Sequence, residues 1–195
     1  MSTPVHVILA LKKETLEELG KGIAPARGRS FLTPKLMDQL MGALERIGMK
    51  VTGTETVGLG LEGWSKERGQ YHTRAVLDLA RKKAKAISDW HVKVLLITDA
   101  DIYAQGTAFV AGHAEVDGRA AVVSFARLGA GDEQRFVQRV LKEALHELGH
   151  TIGLGHCDDH DCVMFASRVL SDSDVKDFDF CMRCRTKAGR ALSVE

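Results

Sequence analysis

The chain alternates short apolar runs with polar, glycine-bearing stretches, and the runs have two different periods. PVHVILAL at 4–11 is a short, almost unbroken apolar run and reads as a buried strand. The stretch 20–32, GKGIAPARGRSFL, is rich in glycine and basic residues and reads as loop. From Thr33, a candidate N-cap before Pro34, the pattern turns helical. Leu36, Met37, Leu40, Met41 and Leu44 recur at helical spacing and predict a core-facing stripe, which Gly48 ends. Residues 50–57 read as a second strand, 72–88 as a helix and VKVLLI at 92–97 as the clearest strand. FVAGHAEV and RAAVVSFA flank Asp117-Gly118, a pair that signals a two-residue hairpin. A last long helix is predicted over about 132–152. This order predicts an α/β sandwich with a mixed sheet.

Two features inside that frame suggest chemistry but read better as structure. GLGLEG at 58–63 matches G-x-G-x-x-G, yet a dinucleotide site needs a helix to open at once, and Trp64 to Tyr71 read as more loop. Asp99 and Asp101, in TDADIY, could hold a cation; such residues more often close a strand through side-chain turns.

Composition narrows the class. The 195 residues carry a formal net charge of +1, which excludes a strongly basic nucleic-acid surface. The run Arg81, Lys82, Lys83 and Lys85 then reads as a solvated helix face. No apolar run approaches the roughly 20 residues of a membrane helix, and no signal peptide is legible. A cytoplasmic monomer without nucleic-acid or membrane partners is the expectation. The four cysteines, Cys157, Cys162, Cys181 and Cys184, all lie in the tail. That clustering suggests a metal knot; two disulfides or free thiols are the alternatives. The tail is the only compositional break, so a single domain over 1–195 is expected, with sheet and long helix in 1–155 and a C-terminal subdomain in 156–195.

HELGHTIGLGHC, residues 146–157, carries the densest chemistry. His146 and His150 are four apart, which puts both imidazoles on one helix face. Glu147 follows the first histidine and can reach water without binding the metal. Gly153 can stop the helix in a left-handed conformation, and the chain can then turn back to deliver His156. Three histidines leave the open fourth position of a catalytic zinc ion. C-x4-C and C-x2-C are plausible thiolate pairs for a second, structural zinc.

The motif H-E-x-x-H-x-x-G-x-x-H resembles that of the metzincins, and HELGHTIGLGHCDDHDCVM followed by FCMRC resembles the archaemetzincins. The resemblance covers about the C-terminal half; the N-terminal half fits it in element order. It implies a metzincin-like α/β sandwich with an active-site helix and a small C-terminal four-cysteine zinc subdomain. It implies His146, His150 and His156 as zinc ligands, Glu147 as general base, and Met164 as the residue of a turn beneath the metal. It implies Cys157, Cys162, Cys181 and Cys184 as a second zinc site, giving two Zn2+ per chain. Phe165 stands where some metzincins carry a tyrosine ligand, and it has no hydroxyl.

The expected activity is zinc-dependent peptide hydrolysis on restricted or small peptides, aminopeptidase action included. The alternative is a non-enzymatic zinc protein whose site is covered by the loops 20–32 or 58–72, with Asp158 or His160 as a fourth ligand. His113, on the predicted edge strand, could touch substrate or lie exposed. His160, between two cysteines, could compete for metal or sit at a loop tip.

Overall fold

A computed structural model describes residues 2–21, 34–129, 132–167 and 169–193. Along the chain run β1 (Thr3–Leu11), α1 (Lys13–Gly20), α2 (Pro34–Arg46), β2 (Met49–Gly58), β3 (Trp64–Ser65), β4 (Gln70–His72) and α3 (Thr73–Ala86). There follow β5 (Lys93–Thr98), β6 (Ile102–Tyr103), β7 (Gly112–Ala114), β8 (Ala120–Ser124), α4 (Glu133–Thr151), α5 (Leu170–Val175) and α6 (Met182–Ser193).

The main sheet has the order β2-β1-β5-β8-β7. Its first four strands are parallel and β7 runs antiparallel to β8, so the sheet is mixed. β1, β5 and β8 read as continuous apolar runs because both of their faces are covered. Val5, Val7, Leu95, Ile97, Ala121 and Val123 face a core shared with α2 and α4. Ile8, Val94, Leu96 and Val122 face the opposite core, closed by Val76, Leu77 and Ala80 of α3. α4 thus has the sheet on one side, and β7 forms the edge beside it.

The structure departs from the sequence pattern in four places. α1 was not expected; its first turn is anchored by Asp99, which accepts the Lys12 amide at 2.9 Å and the Thr15 hydroxyl at 2.5 Å. Asp99 therefore ties down the start of a distant helix. Residues 64–72 are not all loop, because β3, β4 and β6 form a small second sheet. At the hairpin, β7 and β8 keep the register centred on Asp117-Gly118. The turn, however, closes through Gly118 N–H to the Glu115 carbonyl (3.2 Å), and only Asp117 is left-handed (φ 54°). The Asp117 N–H is directed instead to the His150 carbonyl at 2.9 Å, so the turn docks on the end of α4. Finally, the tail holds two helices, α5 and α6. The expected loop 20–32 and the Thr33 cap fall almost wholly outside the described residues.

No helix opens on the glycine run 58–63; α3 begins at Thr73. Asp101 is paired with Arg127 at 2.7 Å, and Arg81 and Lys83 pair with Glu115 and Glu55. Lys82 and Lys85, by contrast, are exposed. Among the described residues, no helix is long and apolar enough to cross a membrane.

Candidate active site and cysteine cluster

α4 starts at Asp132, whose carboxylate accepts the Arg135 amide at 2.8 Å, an N-cap that satisfies an orphan donor. It ends in a Schellman turn: Leu154 N–H reaches the Gly149 carbonyl and Gly153 N–H reaches that of His150. Gly153 takes φ 80°, the left-handed conformation that turns the chain back towards the helix. That reversal carries His156 to the two helix histidines, with ring centroids 5.3 Å from His146 and 5.0 Å from His150.

Backbone carbonyls set the orientation of the two helix imidazoles. His146 Nδ1 lies 2.9 Å from the Val163 carbonyl and His150 Nδ1 lies 2.7 Å from the Leu154 carbonyl. A carbonyl only accepts, so each Nδ1 carries the hydrogen and each neutral Nε2 is left with a lone pair. The two Nε2 atoms face each other at 3.1 Å. Burial, and then the charge of Lys176, lowers His146 to about 3, so no proton bridges the gap at neutral pH. Two lone pairs held together without a proton fit a shared cation. A tetrahedral ion about 2.0–2.1 Å from each nitrogen spaces the nitrogens by roughly 3.3 Å. The ligand atoms of His146, His150 and His156 all lie within 4.8 Å of one another.

Glu147 is 5% exposed, beside the histidines. Burial raises its carboxyl well above the ordinary glutamate range, and the nearby Glu143 carboxyl adds to the rise. The strand edge makes room for it: a Cβ on Gly112 would lie 2.4 Å from Glu147 Oε1. Beneath the helix, Met164 is fully buried, and a Cβ on Gly149 would lie 2.4 Å from its Sδ. The Met164 carbonyl accepts the Cys157 amide at 2.9 Å.

The four cysteines converge, with their Sγ atoms within 4.8 Å of one another. All four are free, and Cys157 Sγ lies 3.8 Å from Cys181 Sγ, too far for a disulfide. Zn–S bonds of about 2.3 Å give a tetrahedral S···S spacing of roughly 3.8 Å, so the donor set fits zinc. Burial pushes the Cys157 thiol up, but the Arg183 guanidinium at 3.2 Å, the Asp159 amide and the neighbouring Cys181 and Cys184 thiols outweigh it and leave the thiol at about 7.

Asp158 and His160 join neither cluster among the described residues, and the His160 ring rests on Phe165 (centroids 4.2 Å). His113 is exposed, and it pairs with Val122, whose side chain belongs to the α3-side core. Side chains of paired residues share a sheet face, so His113 points away from α4.

A cleft of about 320 Å³ runs over the site, lined by Val110, Gly112, Glu143, His146, Glu147 and His156 among others. Its other wall is the segment around α5, and the 58–72 loop takes no part in it. A larger groove of about 640 Å³ between α2 and α4 contains none of the site residues. Three residues in or behind the cleft were not among the candidates named from the sequence. Glu143 was legible, being one helical turn before Glu147. Ser173 and the fully buried Lys176 had no local signal, because only the tail's path brings them beneath α4.

The comparisons with known proteins agree with this geometry. A model of peptidase family M54 matches residues 50–190. The chain is 49% identical over 129 residues to the archaemetzincin of Methanopyrus kandleri, covering 66% of this chain and 71% of that protein. It is 33% identical over 180 residues to the archaemetzincin of Pyrococcus furiosus, covering 88% and 90%. The crystal structure of the Methanopyrus kandleri archaemetzincin superposes with a TM-score of 0.78 at 35% identity, over 98% of this chain and 96% of that one. These matches define the class as a zinc metallopeptidase. The chain belongs to peptidase family M54, the archaemetzincins.

Proposed function

We propose that this zinc peptidase cleaves restricted or small peptides, with His146, His150 and His156 as the ligands of the catalytic zinc and Glu147 as general base. The observation that carries the reading is the pair of Nε2 atoms 3.1 Å apart, each turned towards the other by a carbonyl bond on Nδ1, beside Glu147. Bound zinc supplies Lewis acidity, lowering the pKa of water and polarising a scissile carbonyl. Glu147 takes the proton released by water and hands it to the leaving amine. Burial raises its pKa above the ordinary glutamate range, which favours its holding the proton between the two transfers. Met164, packed against Gly149, holds the helix floor under the histidines. Cys157, Cys162, Cys181 and Cys184 hold a second, structural zinc, giving two ions per chain. Four free thiols suit a reducing compartment, and we place the protein in the cytoplasm as a monomer.

The modest cleft volume supports short peptides over folded proteins, and aminopeptidase action falls within this range. A mixed peptide library digested by the zinc-loaded protein and read by mass spectrometry tests this. Products shortened from the N-terminus one residue at a time establish an aminopeptidase, and internal cuts establish an endopeptidase. Efficient digestion of folded proteins would overturn the restricted-substrate reading.

A further inference from the structure

Glu143 has no part in the chemistry described so far, yet it faces the same cleft as Glu147, one helical turn earlier. It is 6% exposed, and what surface it keeps lines the cleft. Ser173, itself buried, lies near the Glu143 carboxyl and favours its charged form. The Ser173 and Ser167 hydroxyls lie 3.1 Å apart. Ser173 donates this bond and the Ser167 oxygen accepts it. All three residues line the cleft.

The surrounding wall is apolar: Leu128, Val110, Val169 and Leu170. An apolar sleeve with a carboxyl at its end suits a side chain with an aliphatic stem and a cationic head, whose charge would favour the ionised carboxylate that burial disfavours. Lys176 does not fill this role from within the protein. It donates to the Phe165 carbonyl at 3.4 Å and acts on Glu143 through its charge alone. The sleeve is held from behind. Arg139 clasps the Asp174 carboxylate through two bonds of 2.7 Å, and Lys142 Nζ reaches the Ser173 and Asp174 carbonyls. The wall is therefore built before a ligand arrives, which lowers the ordering cost of binding.

We propose that Glu143, with Ser173 and Ser167, forms a specificity pocket that selects a lysine or arginine side chain of the substrate. This rests on the peptidase reading, because it assigns the substrate class of that same cleft.

The test uses binding, so it does not depend on turnover. Two peptide hydroxamates, identical except for arginine or norleucine next to the hydroxamate, are titrated calorimetrically into the zinc-loaded full chain. The arginine compound binds at least tenfold more tightly, and Glu143→Gln brings it to the norleucine value. Ser173→Ala narrows the difference without abolishing it. Equal binding of the two compounds by the unaltered protein overturns the pocket, whatever the variants do, as does a preference that survives in Glu143→Gln or no binding by either compound. A protein that discriminates between the compounds but cleaves nothing supports the pocket and counts against the peptidase reading alone.

Discussion

The Val163 carbonyl, one residue past Cys162, accepts the Nδ1 hydrogen of His146 at 2.9 Å. The backbone of the cysteine cluster therefore sets the direction of a histidine in the other cluster. A second link runs from Cys157, which follows His156 directly and donates its amide to the Met164 carbonyl. Disturbing the thiolates should loosen both. Cys181→Ser is expected to weaken zinc at the histidine site by about tenfold, the scale of losses when groups orienting a ligand are removed. Chelator competition with a zinc-sensitive dye reads this, and unchanged affinity at that site would show that the clusters are independent.

Gly112 sits where any side chain would meet Glu147. A Cβ there falls 2.4 Å from Oε1 and 2.6 Å from Cγ, so the carboxylate must move. Gly112→Ala should retain its zinc and lose about 10- to 100-fold in kcat, the cost of an ångström-scale misplacement of a catalytic group. Full activity in the variant would refute a fixed position for Glu147.

Gly149 poses the same question below the helix. Its missing Cβ leaves room for Met164 Sδ, and Met164 is fully buried with Phe180 close by. Gly149→Ala gains helix propensity but overpacks this contact, and a net loss of about 1–3 kcal/mol is expected in urea unfolding. A stabilised variant would mean that the floor yields easily.

Asp174 gives a pH dependence whose sign is fixed by its partner. The Arg139 guanidinium holds its carboxyl below the ordinary aspartate range in the folded protein. The contribution is thus complete above the unfolded value of about 3.9 and disappears as the pH falls through the lower folded value. Asp174 is a third exposed, so screening limits the contribution to roughly 1 kcal/mol. Asp174→Asn should destabilise at pH 7 by about that amount and match the unaltered protein at strongly acid pH. A difference that persists undiminished there would assign its effect to packing.

The histidine site was legible because its ligands are local: one helix turn, one glycine reversal, one returning residue. The cysteine cluster was legible from pair spacing. Other features were hidden by distance along the chain. α1 is eight residues long, and the carboxylate that anchors its start belongs to Asp99. Lys176 reaches the underside of α4 only because the tail folds back. The Asp117-Gly118 pair centred the hairpin correctly, yet its turn geometry is set by the His150 carbonyl that Asp117 caps, a tertiary contact that overrides turn propensity.

The central claim is that Glu147 performs the proton transfers at a zinc site it does not help to hold. The measurement is peptide-library cleavage by the unaltered protein and by Glu147→Gln, with zinc per chain determined on the same samples. We predict equal zinc in both proteins, products from the unaltered protein, and at least a thousandfold loss of turnover in the variant. Comparable cleavage by the variant with its zinc in place would contradict the account.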